Sequence, residues 1–176
     1  MIKRSGRSAA IIAAVLVAGG SLGTGIASAS TATSSHDYIT FYGYTDNNPP
    51  GRAITHGCLH DQAGGTGTYA DPVTYAQGDD NGPWCQRIYV PFLKKYFIHE
   101  DSECGDECTP SSKQHVDLWM GGDANSTHDP EKTALLDCED QWTTHDTVVL
   151  NPPETEPVDT TPMFTPPTTC HGGTGD

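Results

Sequence analysis

Six short stretches rich in β-branched and aromatic residues, each cut off by turn-forming residues, constrain this 176-residue chain more than any other feature. They are 37–45 (DYITFYGYT), 69–76 (YADPVTYA), 86–91 (QRIYVP), 95–101 (KYFIHED), 115–120 (HVDLWM) and 146–150 (DTVVL). Segments of this length and composition, bounded by Gly, Pro, Asn and Asp, read as strands. One segment differs: 129–142 (DPEKTALLDCEDQW) puts Asp129 at an N-cap, Pro130 at the first helical position and acids in the first turn. The pattern predicts an all-β domain with one short helix. The helix and the long loops fall unevenly between the strands, which favours a small closed barrel over a sandwich. Pro72 predicts an edge or a bulge in the second stretch. The third and fourth stretches flank a short connection and are expected to pair.

The ends carry other signals. Residues 1–8 are basic (Lys3, Arg4, Arg7), the apolar run that follows is too short to span a bilayer comfortably, and Ala27-Ser28-Ala29 fits a small-x-small cleavage site. Residues 1–29 therefore read as a secretory signal peptide. Residues 30–36 read as a flexible lead-in, 37–150 as the barrel domain, and 151–176 as a Pro/Thr-rich tail partly pinned through Phe164 and Cys170. A secreted, extracellular protein with an even number of cysteines is expected to be disulfide-stapled. Of several pairings open on paper, the reading takes Cys58–Cys85, Cys104–Cys108 and Cys138–Cys170. A zinc site on Cys104, Cys108 and a histidine is the rival, but C-x3-C has no second pair beside it. His56 and His60 stand four apart, yet the glycine between them spoils a helix. No metal and no cofactor are expected.

The formal net charge is −14, and it becomes more negative once the basic leader is removed. Such a surface repels nucleic acid and anionic membranes, so neither is expected as a partner. It favours a neutral or cationic ligand, and it also keeps a monomer in solution. There is no Gly-x-Ser-x-Gly, and the cysteines are committed to disulfides, so nucleophilic Ser or Cys catalysis is not expected. Asn125-Ser126-Thr127 is a glycosylation sequon, relevant in a eukaryotic host.

Carboxylates carry the chemistry. In HVDLWM, Val116, Leu118 and Met120 share one face, and His115, Asp117 and Trp119 share the other. Asp101 ends the fourth stretch, Asp71 lies in the second and Asp46 follows the first. Aspartate is depleted in strands, and a single one usually satisfies a turn. Four at strand positions point to acid–base work.

The segments YADPVTYA, IYVPFLKKYFIHED and HVDLWMGG resemble the three-aspartate barrel domain of the A-type membrane-bound lytic transglycosylases and their smaller stationary-phase relatives. Asp71, Asp101 and Asp117 match the three aspartates in order, over roughly 66–122. The family's Gly-Gly loop between the last two is replaced by the longer SECGDECTPSSKQ. HVDLWMGG is also similar to the acid-bearing strand of family 45 endoglucanases, and the chain resembles secreted microbial muramidases built on a like barrel with added disulfides. These resemblances imply a six-stranded double-psi β-barrel with Asp117 as general acid.

They also imply a secreted enzyme that cleaves a polysaccharide, with peptidoglycan first and a neutral or cationic glycan behind it. Asp71 and Asp101 would press on the pKa of Asp117. Trp119 would stack on sugar, extended by Tyr42, Tyr44 and Tyr69, with His115 alongside. A lytic transglycosylase needs one acid, whereas an inverting hydrolase needs a second carboxylate. Asp46 is the first candidate for that base, because it follows an aromatic first strand, and Asp101 is the second. The alternative from another class is a non-catalytic barrel: an expansin-like, carbohydrate-binding or protease-inhibitor module.

Overall fold

The computed structural model describes residues 33–78, 82–102 and 115–171. The expected signal peptide and the expected Cys104–Cys108 bridge lie outside the described residues. Six strands close into a barrel: β1 (Thr33–Gly43), β2 (Val73–Ala76), β3 (Arg87–Val90), β4 (Lys95–Asp101), β5 (His115–Gly121) and β6 (Thr144–Leu150). Around the barrel the order is β1-β5-β2-β4-β3-β6. β1 runs parallel to β5 and β2 parallel to β4, while the other four contacts are antiparallel. Closure leaves no open sheet edge in the barrel. The expected pairing of the third and fourth stretches is present, with Ile88 opposite Phe97.

The core is the inward row of each strand: Ile39 and Phe41 beside Val116 and Leu118, closed by Tyr75, Phe97, Ile88 and Val148. Each such side chain contributes roughly 1.5–3 kcal/mol through the apolar surface it buries. β4 departs from simple alternation, since all seven of its residues are buried. The barrel covers one face. The 52–66 loop covers part of the other, where Cys58, Leu59 and His60 donate to Glu100 and the Thr74 N–H bonds Gly64 O.

The helix α1 (Glu131–Trp142) begins later than the capping pattern predicts. Pro130 occupies the N-cap, and the Asp129 carboxylate accepts from the Thr133 hydroxyl at 2.7 Å instead of capping backbone N–H groups. The second strand is also shorter than expected. Residues 69–72 form a loop ahead of it, fixed by Thr66 and Gly67 N–H groups that donate to Asp71 O.

Both expected disulfides within the described residues are formed, Cys58–Cys85 and Cys138–Cys170. The tail is held along its length ahead of Cys170 as well as at the disulfide. Its carbonyls accept from Tyr96 (Pro153 O, 2.6 Å), Tyr89 (Pro157 O, 2.7 Å) and Lys95 (Thr161 O, 2.7 Å). Met163 and Phe164 are buried, and a small hairpin pairs β7 (Phe164–Thr165) with β8 (Thr169–Cys170). A composition that would be disordered alone is ordered here by backbone acceptors that meet buried donors.

Candidate active site

The parallel pairing of β1 and β5 sets Thr40 opposite Asp117 and Tyr42 opposite Trp119. Their side chains therefore share a face. The Thr40 hydroxyl donates to Asp117 Oδ1 at 2.8 Å and lies 2.8 Å from His115 Nε2. A hydroxyl has one proton to give, so the His115 Nε2–H supplies the second bond. The relay runs from His115 through Thr40 to Asp117 and fixes that carboxyl.

Asp101 reaches the same space from the end of β4. Its Oδ2 accepts from Tyr42 OH at 3.1 Å, and its Oδ1 accepts from Thr55 N at 3.1 Å, Thr55 Oγ1 at 2.9 Å and Ser102 N at 3.0 Å. Burial still outweighs these donors and raises the Asp101 pKa. Burial first, then the charges of Asp101 and Asp117, hold the Tyr42 hydroxyl well above its usual range, so it stays a donor.

Asp46 follows β1 in the turn that leaves the barrel, and Gly43 N donates to its Oδ1 at 2.8 Å. Its outer side meets solvent, while desolvation of the barrel side raises its pKa. Asp46, Asp101 and Asp117 line one cavity of about 360 Å³, with Tyr42, Thr55 and Ser102. That volume falls at the low end of small-ligand sites, ~300–1,000 Å³. Three of the four aspartates singled out in the sequence thus converge, drawn from three separate elements.

Asp71 does not join them. It lies in the loop before β2, where its Oδ1 is 3.0 Å from His60 Nε2 and its Oδ2 accepts from Thr66 N. His60 Nδ1 is 2.7 Å from Glu100 Oε2, so the imidazole bridges two carboxylates. The bond to His60 holds the Asp71 pKa below its usual value, which suits an ion-pair partner and not a proton donor. The expectation that Asp71 presses on Asp117 is corrected on this ground.

The expected sugar platform also changes. Trp119 is 5 % exposed and packs edge-on against Tyr42, 5.3 Å between ring centroids. It belongs to one buried apolar cluster with Met163 and Phe164 of the tail, and the cavity it borders is a neighbouring one, not that of the aspartates. Tyr69 packs edge-on against Tyr96 under the Arg87 guanidinium. Tyr44 is half-buried beside Gly122, and His115 is buried in the relay. Of the aromatics named, Tyr42 alone borders the aspartate cavity.

One residue escaped the sequence reading. Glu139 sits on α1 with Leu135, Cys138 and Trp142, all on the face turned to the barrel. It is 5 % exposed, and its Oε1, buried with no hydrogen-bond partner, lies against Gly43, whose N–H holds Asp46. Desolvation first, then the charges of Asp46 and Asp117, push its pKa up to about 10. An acid at the i+4 position of an otherwise apolar stripe (135, 138, 139, 142) was the available signal.

His56, Cys58 and Cys85 also cluster. The Cys58–Cys85 disulfide takes both sulfurs, so this group cannot hold a metal as thiolates.

Residues 34–171 match the family described as DDB_G0273701 N-terminal domain. A Dictyostelium discoideum protein named "Uncharacterized protein DDB_G0273701/DDB_G0273221" is 39 % identical over 129 residues. The match covers 72 % of this chain and 55 % of that protein, so the chain spans about half the length of its relative. No solved structure matches the chain significantly.

Proposed function

We propose that this chain, which belongs to the DDB_G0273701 N-terminal domain family, is a secreted enzyme that cleaves a polysaccharide by general acid catalysis from Asp117. The observation that carries the reading is the convergence of Asp46, Asp101 and Asp117 on one cavity. Glycosidic cleavage needs a carboxyl to protonate the leaving oxygen and charge nearby to stabilise the oxocarbenium-like transition state. The relay from His115 through Thr40 orients Asp117, and burial raises the pKa of Asp101 beside it. The double-psi connectivity belongs to the same reading; the two parallel pairs inside a closed six-stranded barrel support it.

Among the described residues, the lining of the cavity includes three carboxylates and no cationic side chain. A neutral or cationic glycan therefore suits it better than a strongly anionic one, with peptidoglycan acceptable through its neutral sugar backbone. The two disulfides suit an oxidising compartment.

The test is digestion of peptidoglycan, chitosan and a soluble β-glucan by wild type and Asp117→Asn, with the fragments weighed. Release from at least one substrate by wild type, reduced about 10²-fold or more in the variant, is expected. Release by neither protein would leave the barrel as a binding module, and equal release would remove Asp117 from the acid's role.

A further inference from the structure

The aspartate cavity leaves two reaction types open, one needing a single acid and the other a second carboxylate that activates water. What lies behind Asp46 distinguishes them. Gly43 ends β1, and its N–H holds Asp46 Oδ1 at 2.8 Å. A Cβ on Gly43 would meet Glu139 Oε1 at 2.8 Å and Leu135 Cδ2 at 2.9 Å. Only glycine lets the helix press Glu139 this close to the strand end that carries Asp46. Glu139 is 5 % exposed, and no cationic side chain pairs with it among the described residues. Gly43 stands between the two carboxyls, with Asp46 Oδ1 on its N–H and Glu139 Oε1 against its Cα, and Oε1 is buried with no other partner. Two carboxyl groups this close, with no cation beside them, share a proton.

We infer that Glu139 is a positioning residue that keeps its proton and donates a hydrogen bond to Asp46, holding Asp46 as the ionised base of an inverting hydrolase. The inference rests on the glycan-cleaving reading above. Asp46 then receives two hydrogen bonds, from Gly43 N and from Glu139, and both favour its charged form against the desolvation that raises its pKa. The proton stays on Glu139 because its site is the drier of the two, and its raised pKa agrees. Other groups facing this space are Tyr42 of β1, Asp101 of β4, Asp117 of β5 and Asp140 on the helix. Apart from the Tyr42 hydroxyl, all are carboxyls, so none of them neutralises the pair.

The step balances. Water attacks the anomeric carbon, and the bond from that carbon to the glycosidic oxygen breaks. Asp117 gives its proton to the departing oxygen, and Asp46 takes one from the attacking water. Exchange with solvent resets both carboxyls, and Glu139 keeps its own proton throughout.

The test uses the full mature chain as wild type, Glu139→Gln and Glu139→Leu. Carboxyl carbons of Asp46 and Glu139 are followed by ¹³C NMR against pH, and the pH profile of kcat is taken on the glycan that wild type cleaves. Expected are a Glu139 carbon that stays protonated through neutral pH and an Asp46 midpoint that Gln preserves. Leu should move that midpoint, and the acid limb of kcat with it, upward by about one pH unit, since a lost donor destabilises the carboxylate. A Glu139 carbon that titrates in the ordinary carboxylate range overturns the inference in wild type alone, whether or not the Leu variant folds. An Asp46 midpoint unmoved by Leu overturns it too. Absence of cleavage by wild type would defeat the glycan-cleaving reading, while the NMR titration would still decide who holds the proton.

Discussion

Thr40 is the residue on which the orientation of the acid turns. Its hydroxyl lies between His115 Nε2 and Asp117 Oδ1, 2.8 Å from each. Valine has the same shape without the hydroxyl, so Thr40→Val removes both of these bonds. A hydrogen bond to a charged group is worth about 1.5–3 kcal/mol. Thr40→Val is therefore expected to lower kcat by ~10-fold or more while KM stays within about twofold, read from steady-state kinetics on the cleaved glycan. A rise in KM at constant kcat would make Thr40 a binding residue instead. Tyr42 plays the matching part for Asp101, and its phenol remains a donor because burial and the neighbouring carboxylates oppose its ionisation.

At the scale of elements, the loop from 52 to 66 is anchored to β4 by one buried acid. Glu100 is fully buried and accepts from Cys58, Leu59 and His60 N–H groups, from the Thr74 hydroxyl and from the His60 ring. These donors outweigh desolvation, so its pKa falls, as does that of Asp71. The two carboxylates outweigh burial at His60 and raise its pKa. The lowered acids stabilise the fold above their ordinary range, about pH 4, and lose that contribution as pH falls through their folded values. The raised histidine stabilises fully below about pH 6.5 and loses its contribution as pH rises through its folded value. Stability from this cluster is therefore greatest in mildly acid solution. The difference in urea midpoint between wild type and His60→Gln is expected to peak there and shrink on the alkaline side. Glu100→Ala, which strands buried N–H groups, is expected to cost about 3 kcal/mol. A constant difference from pH 4 to 8 would contradict the ionic account.

The same elements show what the sequence made legible. β4 was readable to the residue because KYFIHED is bounded on both sides by turns. Asp46, Asp101 and Asp117 were readable as a group because acids at strand positions are rare, and three elements bring them to one cavity. Asp71 was misplaced because an Asp-Pro before a strand looks the same in sequence whether its carboxyl faces a cleft or a histidine eleven residues earlier. Trp119 shares its face with Asp117, but the tail packs over it, and that is a long-range fact which alternation does not contain. Glu139 was overlooked because acids on a short helix usually face water.

Over the described residues the molecule is a closed barrel with loops and a tail packed against the outside of its strands and an acidic cavity lined by Asp46, Asp101 and Asp117. Its net charge of −14 reinforces the cavity's own field and disfavours anionic ligands over long range, more so at low salt. Parallel pairing of β1 and β5 places the strand of Asp117 beside the strand that leads into the Asp46 turn. The central claim is that Asp117 and Asp46 act across this cavity as acid and base. The measurement that tests it most directly is ¹H NMR of the first-formed product of wild type, before mutarotation, beside Asp46→Asn and Asp117→Asn. The account predicts a product of inverted anomeric configuration from wild type and a loss of about 10²-fold or more in each variant. A retained configuration, an anhydro-sugar end, or an Asp46→Asn protein as active as wild type would contradict it.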